Sequence, residues 1–414
     1  MQGFAGHLPL ITPPIVWYSG AMTRVKIIVC SLVLLLGAAL GADVFPVPQF
    51  GYVIDFPEGF SLDDGSDDAA MLLFRHTMLP VEVTVCVHPA DSYTSARDAL
   101  LGSFAALGAK GDVAPVRWRN QNCALARMTM RNAALDGAHE GWSCAMPLSE
   151  KKGWLTVLAY APAEVAYDCE QFLLSVLDSV MTDAGSLREP GIVTTQAFPG
   201  GKKETLTLSV AGKKVRTRID REDEEAARFV IDREWAVFLP FANTPHAFAA
   251  WQRFYRLVAR DTMGRTKEIA FALHNALLPD AQKADPENPG AALAQMLLTW
   301  TQQFPYARAS TTADKADLAP IPSVLRGAPS DCDSRSLLAA VLLRQMDMDA
   351  CLFVSAAYSH AMFGVALPGK LGQTISVGDT DYLVGETTAT GLTLGMMDAA
   401  MQDRDQWLPV LFYD

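Results

Sequence analysis

Three side chains late in the chain have the types and the order that nucleophilic acyl chemistry requires. Cys332 lies in Ser330-Asp331-Cys332-Asp333-Ser334-Arg335, ahead of the apolar positions Leu337, Leu338, Val341, Leu342 and Met346. Ser330 followed three residues on by Asp333 reads as a capping-box variant, so the pattern predicts a helix that opens at the thiol. Unpaired backbone N–H groups and the positive end of the helix dipole favour a thiolate there. Asp331 and Asp333 act in the opposite sense, because neighbouring carboxylates raise a thiol pKa. A reactive Cys332 therefore requires a cationic partner, ordinarily a histidine.

That partner is found downstream. Residues 351–357 have the length and composition of a buried strand. His360 then opens a second strand-like run over 361–367, and a third short run, 382–384, leads into Gly385-Glu386-Thr387-Thr388. A thiol at a helix start, an imidazole at one strand edge and a carboxylate at another are the parts of a triad: nucleophile, base and the group that orients the base.

The order Cys, helix, strand, His, strand, acid resembles the transglutaminase-like domain of the papain-related cysteine enzymes. Leu298-Thr299-Trp300-Thr301-Gln302-Gln303-Phe304-Pro305-Tyr306, then Ile321-Pro322-Ser323-Val324-Leu325 and Asp331-Cys332-Asp333, are similar to bacterial members, and the resemblance covers residues 290–390. It implies Cys332 as nucleophile, His360 as base and Glu386 as orienting acid, with Gln302 or Gln303 as an oxyanion donor. Two positions depart from the commoner pattern: the acid is usually Asp, and Met362 stands where Trp is frequent. No carboxylates are spaced as a calcium loop, so neither a metal nor another cofactor is expected. The implied reaction is attack on a protein or peptide amide, cell-wall peptide included, through a thioacyl-enzyme. Water as acceptor gives a peptidase or amidase, and a lysine amine gives cross-linking; hydrolysis is the default. The competing expectation is a catalytically inactive binding or scaffold protein of the cell envelope.

The rest of the chain must position these groups. Its 414 residues allow two or three domains, and a half-hydrophobic composition indicates a globular protein. A net charge of −12 without a basic stripe argues against nucleic acid as a partner. Residues 1–42 read as a leader: Met22-Thr23-Arg24-Val25-Lys26 precedes an apolar run of signal-peptide length, with small residues near Gly41 for cleavage. Met22 is the expected start, the location periplasmic or otherwise exported, and any membrane contact restricted to an uncleaved leader. Residues 43–183 alternate between strand and helix signals and predict an α+β sandwich, an antiparallel sheet carrying helices, which faintly resembles the PsbP-like fold. Cys86, Cys123, Cys144 and Cys169 fall in this part, either as two disulfides or as reduced core residues. Residues 184–204 are expected to form a linker, 205–289 a hairpin with helical connections that breaks at 279–290, and 290–414 the transglutaminase-like α+β domain.

Overall fold

The computed structural model describes residues 44–131, 135–310, 312, 315–367 and 369–413. The expected leader, residues 1–42, lies outside them. Among the described residues no helix is long and apolar enough to cross a membrane.

The fold is α+β, with helices packed on antiparallel sheets. In the N-terminal part, an eight-stranded sheet runs in the order Phe60–Gly65, Met71–His76, Glu82–His88, Trp154–Pro162, His139–Pro147, Gln121–Met130, Ala109–Lys110, and Ala114–Trp118 also pairs with Gln121–Met130. Its central strands are buried at most positions because both faces are covered. Along Trp154–Pro162, Leu155, Val157 and Ala159 join Leu173, Val176 and Leu177 of the helix Glu170–Asp178. The alternate residues Leu158 and Tyr160 join Leu100 and Phe104 of the helix Ala96–Leu107 on the other face. Cys86, Cys123, Cys144 and Cys169 are free thiols, which selects the reduced alternative.

Three expectations change. The helix expected over 169–181 ends at Asp178, and Val180–Met181 pairs instead with Tyr52–Asp55, where a β-branched residue at a sheet edge gains a ladder. Residues 184–204 are folded against the body rather than extended: Ile192, Val193 and Thr194 are buried, and the Asp178 carboxylate accepts the Val193 and Thr194 N–H groups at the start of the helix Ile192–Ala197. The break expected over 279–290 is confined to residues 285–288 and does not begin at Pro279. A single helix runs Ala247–Ala284, held through the proline by the buried Leu277 and Ala281 on either side and by Lys213, which donates to the Ala276 carbonyl.

The hairpin Lys203–Val210 and Lys213–Asp220 turns through Ala211 and Gly212, both at positive φ, as a two-residue loop requires. Rather than standing apart, the hairpin and the long helix share one hydrophobic core with the C-terminal part. There a five-stranded antiparallel sheet, in the order Thr374–Val377, Thr380–Gly385, His360–Ala366, Ala350–Ser355, Leu408–Val410, carries the helix Cys332–Gln345 on one face. The other face is covered by Trp407.

The long helix is two-sided. Phe254, Tyr255 and Val258 enter the shared core, while Arg253, Arg256 and Arg260, at helical spacing, plug into the N-terminal part. Arg256 makes a two-pronged bond to Asp55, 3.0 Å at each prong, and Tyr413 donates to the same carboxylate. Arg253 reaches the Asp55 carbonyl at 2.9 Å and Glu234 at 2.9 Å; Arg233 bridges Glu234 and Asp178. Burial alone would raise the Asp55 pKa, but Arg256 and Arg253 bring it below the usual carboxylate range. Asp55→Ala strands the buried Arg256 guanidinium, whose carboxylate partner it removes, and should lower unfolding stability by roughly 3–5 kcal/mol in urea titration. The half-exposed Arg75, paired with Asp63 and Glu82, should cost less than about 1 kcal/mol as Arg75→Ala. Equal losses would show that the buried network does not join the two parts.

Candidate active site

The helix Cys332–Gln345 begins on the thiol, but its cap is one residue later than the sequence suggests. Asp331, not Ser330, is the N-cap: its Oδ1 accepts the Ser334 N–H at 3.0 Å and the Ser334 hydroxyl at 2.6 Å. Ser330 is used elsewhere, its Oγ accepting from Arg335 Nε at 3.2 Å and its backbone bridging to the segment at Tyr306. Cys332 is thus the first helical residue.

Ala361 joins strand to helix. Its carbonyl accepts from Ser336 Oγ at 3.2 Å, and its N–H is near enough to the Cys332 sulfur to favour the thiolate slightly. His360, the residue before it, is thereby held beside the thiol helix. Its Nε2 lies 2.6 Å from Glu386 Oε2. Glu386 follows the strand Thr380–Gly385, whose last residue must be glycine, because a Cβ there would fall about 2.2 Å from the Phe363 ring. The second Glu386 oxygen accepts the Thr388 N–H at 2.7 Å and the Thr388 hydroxyl at 2.5 Å. Burial would raise this carboxyl, but the His360 bond and charge, with the Thr388 donors, hold it below its ordinary value. An ionised Glu386 only accepts, so Nε2 carries the hydrogen and Nδ1 is left as the acceptor.

The thiol itself is surrounded by acid. Cys332 is 5% exposed and donates to Asp333 Oδ1 at 3.2 Å. Burial, then the charges of Asp333 and Asp331, push its pKa well up. The same burial raises both carboxyls; Asp331, facing Asp333, is pushed up to about 7. Tyr255, from the long helix, donates its hydroxyl to Asp333.

One buried cation ties this cluster together. Arg335, 1% exposed, donates to Ser330 Oγ, to the Thr387 carbonyl at 3.2 Å and to the Phe304 carbonyl at 2.6 Å, with the exposed Tyr306 ring 5.3 Å from its guanidinium carbon. Gln302 and Gln303 part company. Gln303 is exposed, whereas Gln302 is buried with its amide nitrogen on the carbonyls of Glu386, at 2.8 Å, and Leu392, at 3.0 Å. Tyr255, Thr388, Arg335 and Trp407, whose ring centroid is 6.2 Å from that of His360, were not singled out as site residues from sequence. Thr388 carried a signal, a hydroxyl two residues after a carboxylate; Trp407 carried none. Among the described residues no group of three histidine, cysteine or carboxylate side chains is arranged to hold a metal ion.

The raised Asp331 pKa has a defined sign in stability. An unfolded carboxyl titrates near 3.9, so between there and about 7 the folded chain holds this proton more tightly than the unfolded chain. The contribution is fully present below about pH 4 and is lost as pH rises through 7. Asp331→Asn keeps the capping oxygen and removes the titration. Urea unfolding near pH 5 and near pH 8 should show the variant losing less stability across the interval than wild type, by on the order of 1–3 kcal/mol. Equal losses would exclude Asp331 as the titrating group.

Compared with known proteins, the chain matches no family model and no curated protein sequence. Solved structures give partial likenesses, about a third of the chain for a PsbP and a Mog1 fold. Cyanobacterial PsbP (CyanoP) from Synechocystis sp. PCC 6803 is 12% identical with a TM-score of 0.29, over 35% of this chain and 95% of that one. The Saccharomyces cerevisiae Ran-binding protein Mog1p is 9% identical with a TM-score of 0.27, over 35% and 98%. A structure from Bacteroides thetaiotaomicron VPI-5482 is 8% identical with a TM-score of 0.23, over 53% and 77%.

Proposed function

We propose that this chain is an exported transglutaminase-like cysteine peptidase or amidase that opens protein or peptide amides through a thioacyl-enzyme. Cys332 is its nucleophile, His360 the base and Glu386 the acid that orients the base. One observation carries the reading: His360 spends Nε2 on Glu386 at 2.6 Å, which leaves Nδ1 as the accepting nitrogen of a ring on the strand that packs against the helix opening at Cys332. Export rests on the leader-like residues 22–42.

In the forward step Nδ1 takes the Cys332 proton and sulfur adds to the amide carbon. The C–N bond breaks as the imidazolium returns the proton to the departing amine. Water then adds to the thioester carbon, giving a proton to His360, and the C–S bond breaks as sulfur regains it. Backbone N–H groups of the first turn of the helix Cys332–Gln345 are the donors for the oxyanion. Glu386 contributes by fixing the tautomer and orientation of the ring.

A second reading, an envelope scaffold without activity, is favoured by the Cys332 hydrogen bond to Asp333 and by the burial and negative charge that keep the thiol protonated. Alkylation of Cys332 by iodoacetamide, followed against pH with mass mapping, separates the two. The enzyme reading expects His360→Ala to slow labelling near neutrality by about 10-fold or more and Cys332→Ser to abolish it at that peptide. Asp333→Asn removes a charge in contact with sulfur and should move the profile to lower pH by about one unit or more. A labelling rate indifferent to His360→Ala sinks the enzyme and leaves the scaffold.

A further inference from the structure

We infer that Gln302 is a positioning residue for the His360–Glu386 pair, acting through the loop that carries Glu386; the inference rests on the roles proposed for those two residues. Gln302 follows the helix Pro289–Thr301 and is 4% exposed. Its amide nitrogen donates to the Glu386 carbonyl at 2.8 Å and to the Leu392 carbonyl at 3.0 Å, and its amide oxygen accepts the Gly391 N–H at 3.3 Å. Both N–H bonds of one side chain, and its carbonyl, are therefore spent on residues 386–392. A donor committed in this way is not the one that meets a substrate oxyanion.

The loop requires such an anchor. Pairing of the strand Thr380–Gly385 with His360–Ala366 stops at Gly385 opposite Phe363, so the chain leaves the ladder one residue before the acid. Beyond that point Glu386 is gripped at both ends: its carbonyl by Gln302, its carboxylate by His360 and Thr388. Thr387 is then fixed by Arg335 on its carbonyl and by Ser336 on its hydroxyl. Rotation of the peptide after Glu386 would break the Gln302 bond, and a rotation there would swing Oε2 away from the imidazole. The longer acid makes this restraint more important, because glutamate has one more rotatable bond than aspartate to be ordered.

The test uses the full chain labelled with 15N-histidine, reading the hydrogen-bonded Nε2–H proton of His360 by NMR alongside Cys332 alkylation. The resonance is assigned by its loss in His360→Gln, and Glu386→Ala marks the broken bond. Gln302→Ala is expected to move the proton at least roughly halfway to the Glu386→Ala position and to slow alkylation on the order of 3- to 10-fold, the scale of one buried hydrogen bond. Gln295→Ala is the control. Gln295 accepts the Leu394 N–H at 2.9 Å, farther along the same loop, without touching Glu386, and its loss should leave both readouts unchanged. An unmoved proton in Gln302→Ala, or an equal shift in Gln295→Ala, overturns the inference. Should Gln302→Ala fail to fold, Gln302→Glu, which keeps the length but cannot donate to the two carbonyls, is read in the same way. Alkylation indifferent to His360→Ala beside a proton that answers to Gln302 would refute the enzyme and leave the positioning role standing.

Discussion

A single buried guanidinium ties together the stretches that carry the thiol and the acid. Among the described residues Arg335 has no carboxylate in bonding contact; its donors go to Ser330 just before the thiol, to Phe304 after the helix Pro289–Thr301, and to Thr387 just after the acid. Three stretches far apart in sequence meet on one planar fork, a geometry that lysine could not supply. Burial lowers the arginine pKa, so its charge is held at a cost. The carboxylate of Glu386, held ionised, offsets part of that cost, which makes Arg335 both a brace and a source of positive potential.

The second buried charge network lies at the other end of the same assembly. Arg253, Arg256 and Arg260 project from one side of the helix Ala247–Ala284 into the N-terminal part, while Tyr255 on its other side bonds Asp333. One rigid rod thus carries the junction between the two parts and one ligand of the acid beside the thiol. Tyr413 donates to Asp55, and its carbonyl accepts from Arg344 of the thiol helix, so the last described residues close the same circuit.

Much of this was legible in the sequence, and what was not has physical reasons. The apolar periodicity after Cys332 gave the helix, because burial of Leu337, Leu338, Val341 and Leu342 decides it locally. The sequence pattern favours a cap one residue early because Ser330 and Asp331 are both good caps in isolation. Only Arg335, a tertiary partner, removes Ser330 from the choice. The polar, proline-containing stretch 279–290 does hold a helix break, at 285–288, but the buried Leu277 and Ala281 carry the helix through Pro279 itself. Gln302 offered an amide of the right kind, but the direction of its hydrogens depends on residues 386–392, about ninety positions away. The arginines at 253, 256 and 260 did stand at helical spacing, the pattern of a charged stripe; that the stripe faces protein rather than water is decided by Asp55, Asp178 and Glu234.

The electrostatics at the thiol reduce to a comparison of magnitudes. A helix start favours an anion by about 0.3–2 kcal/mol. A full carboxylate charge at 3.2 Å opposes it by roughly 5 kcal/mol even at an effective dielectric of 20, so an ionised Asp333 outweighs the dipole. Thiolate formation is therefore compatible with this site when Asp333 is protonated, or when His360 is an imidazolium. Burial, which by itself disfavours the thiolate, also raises Asp333 and lifts Asp331 to about 7. The dry surroundings that make the thiol a poor acid thus keep its two acidic neighbours neutral over a wider range of pH. Tyr255 bonds an ionised Asp333 and opposes that neutrality, so the long helix has a direct hand in the charge beside Cys332. The proton on the sulfur is controlled by the acid pair as much as by the histidine.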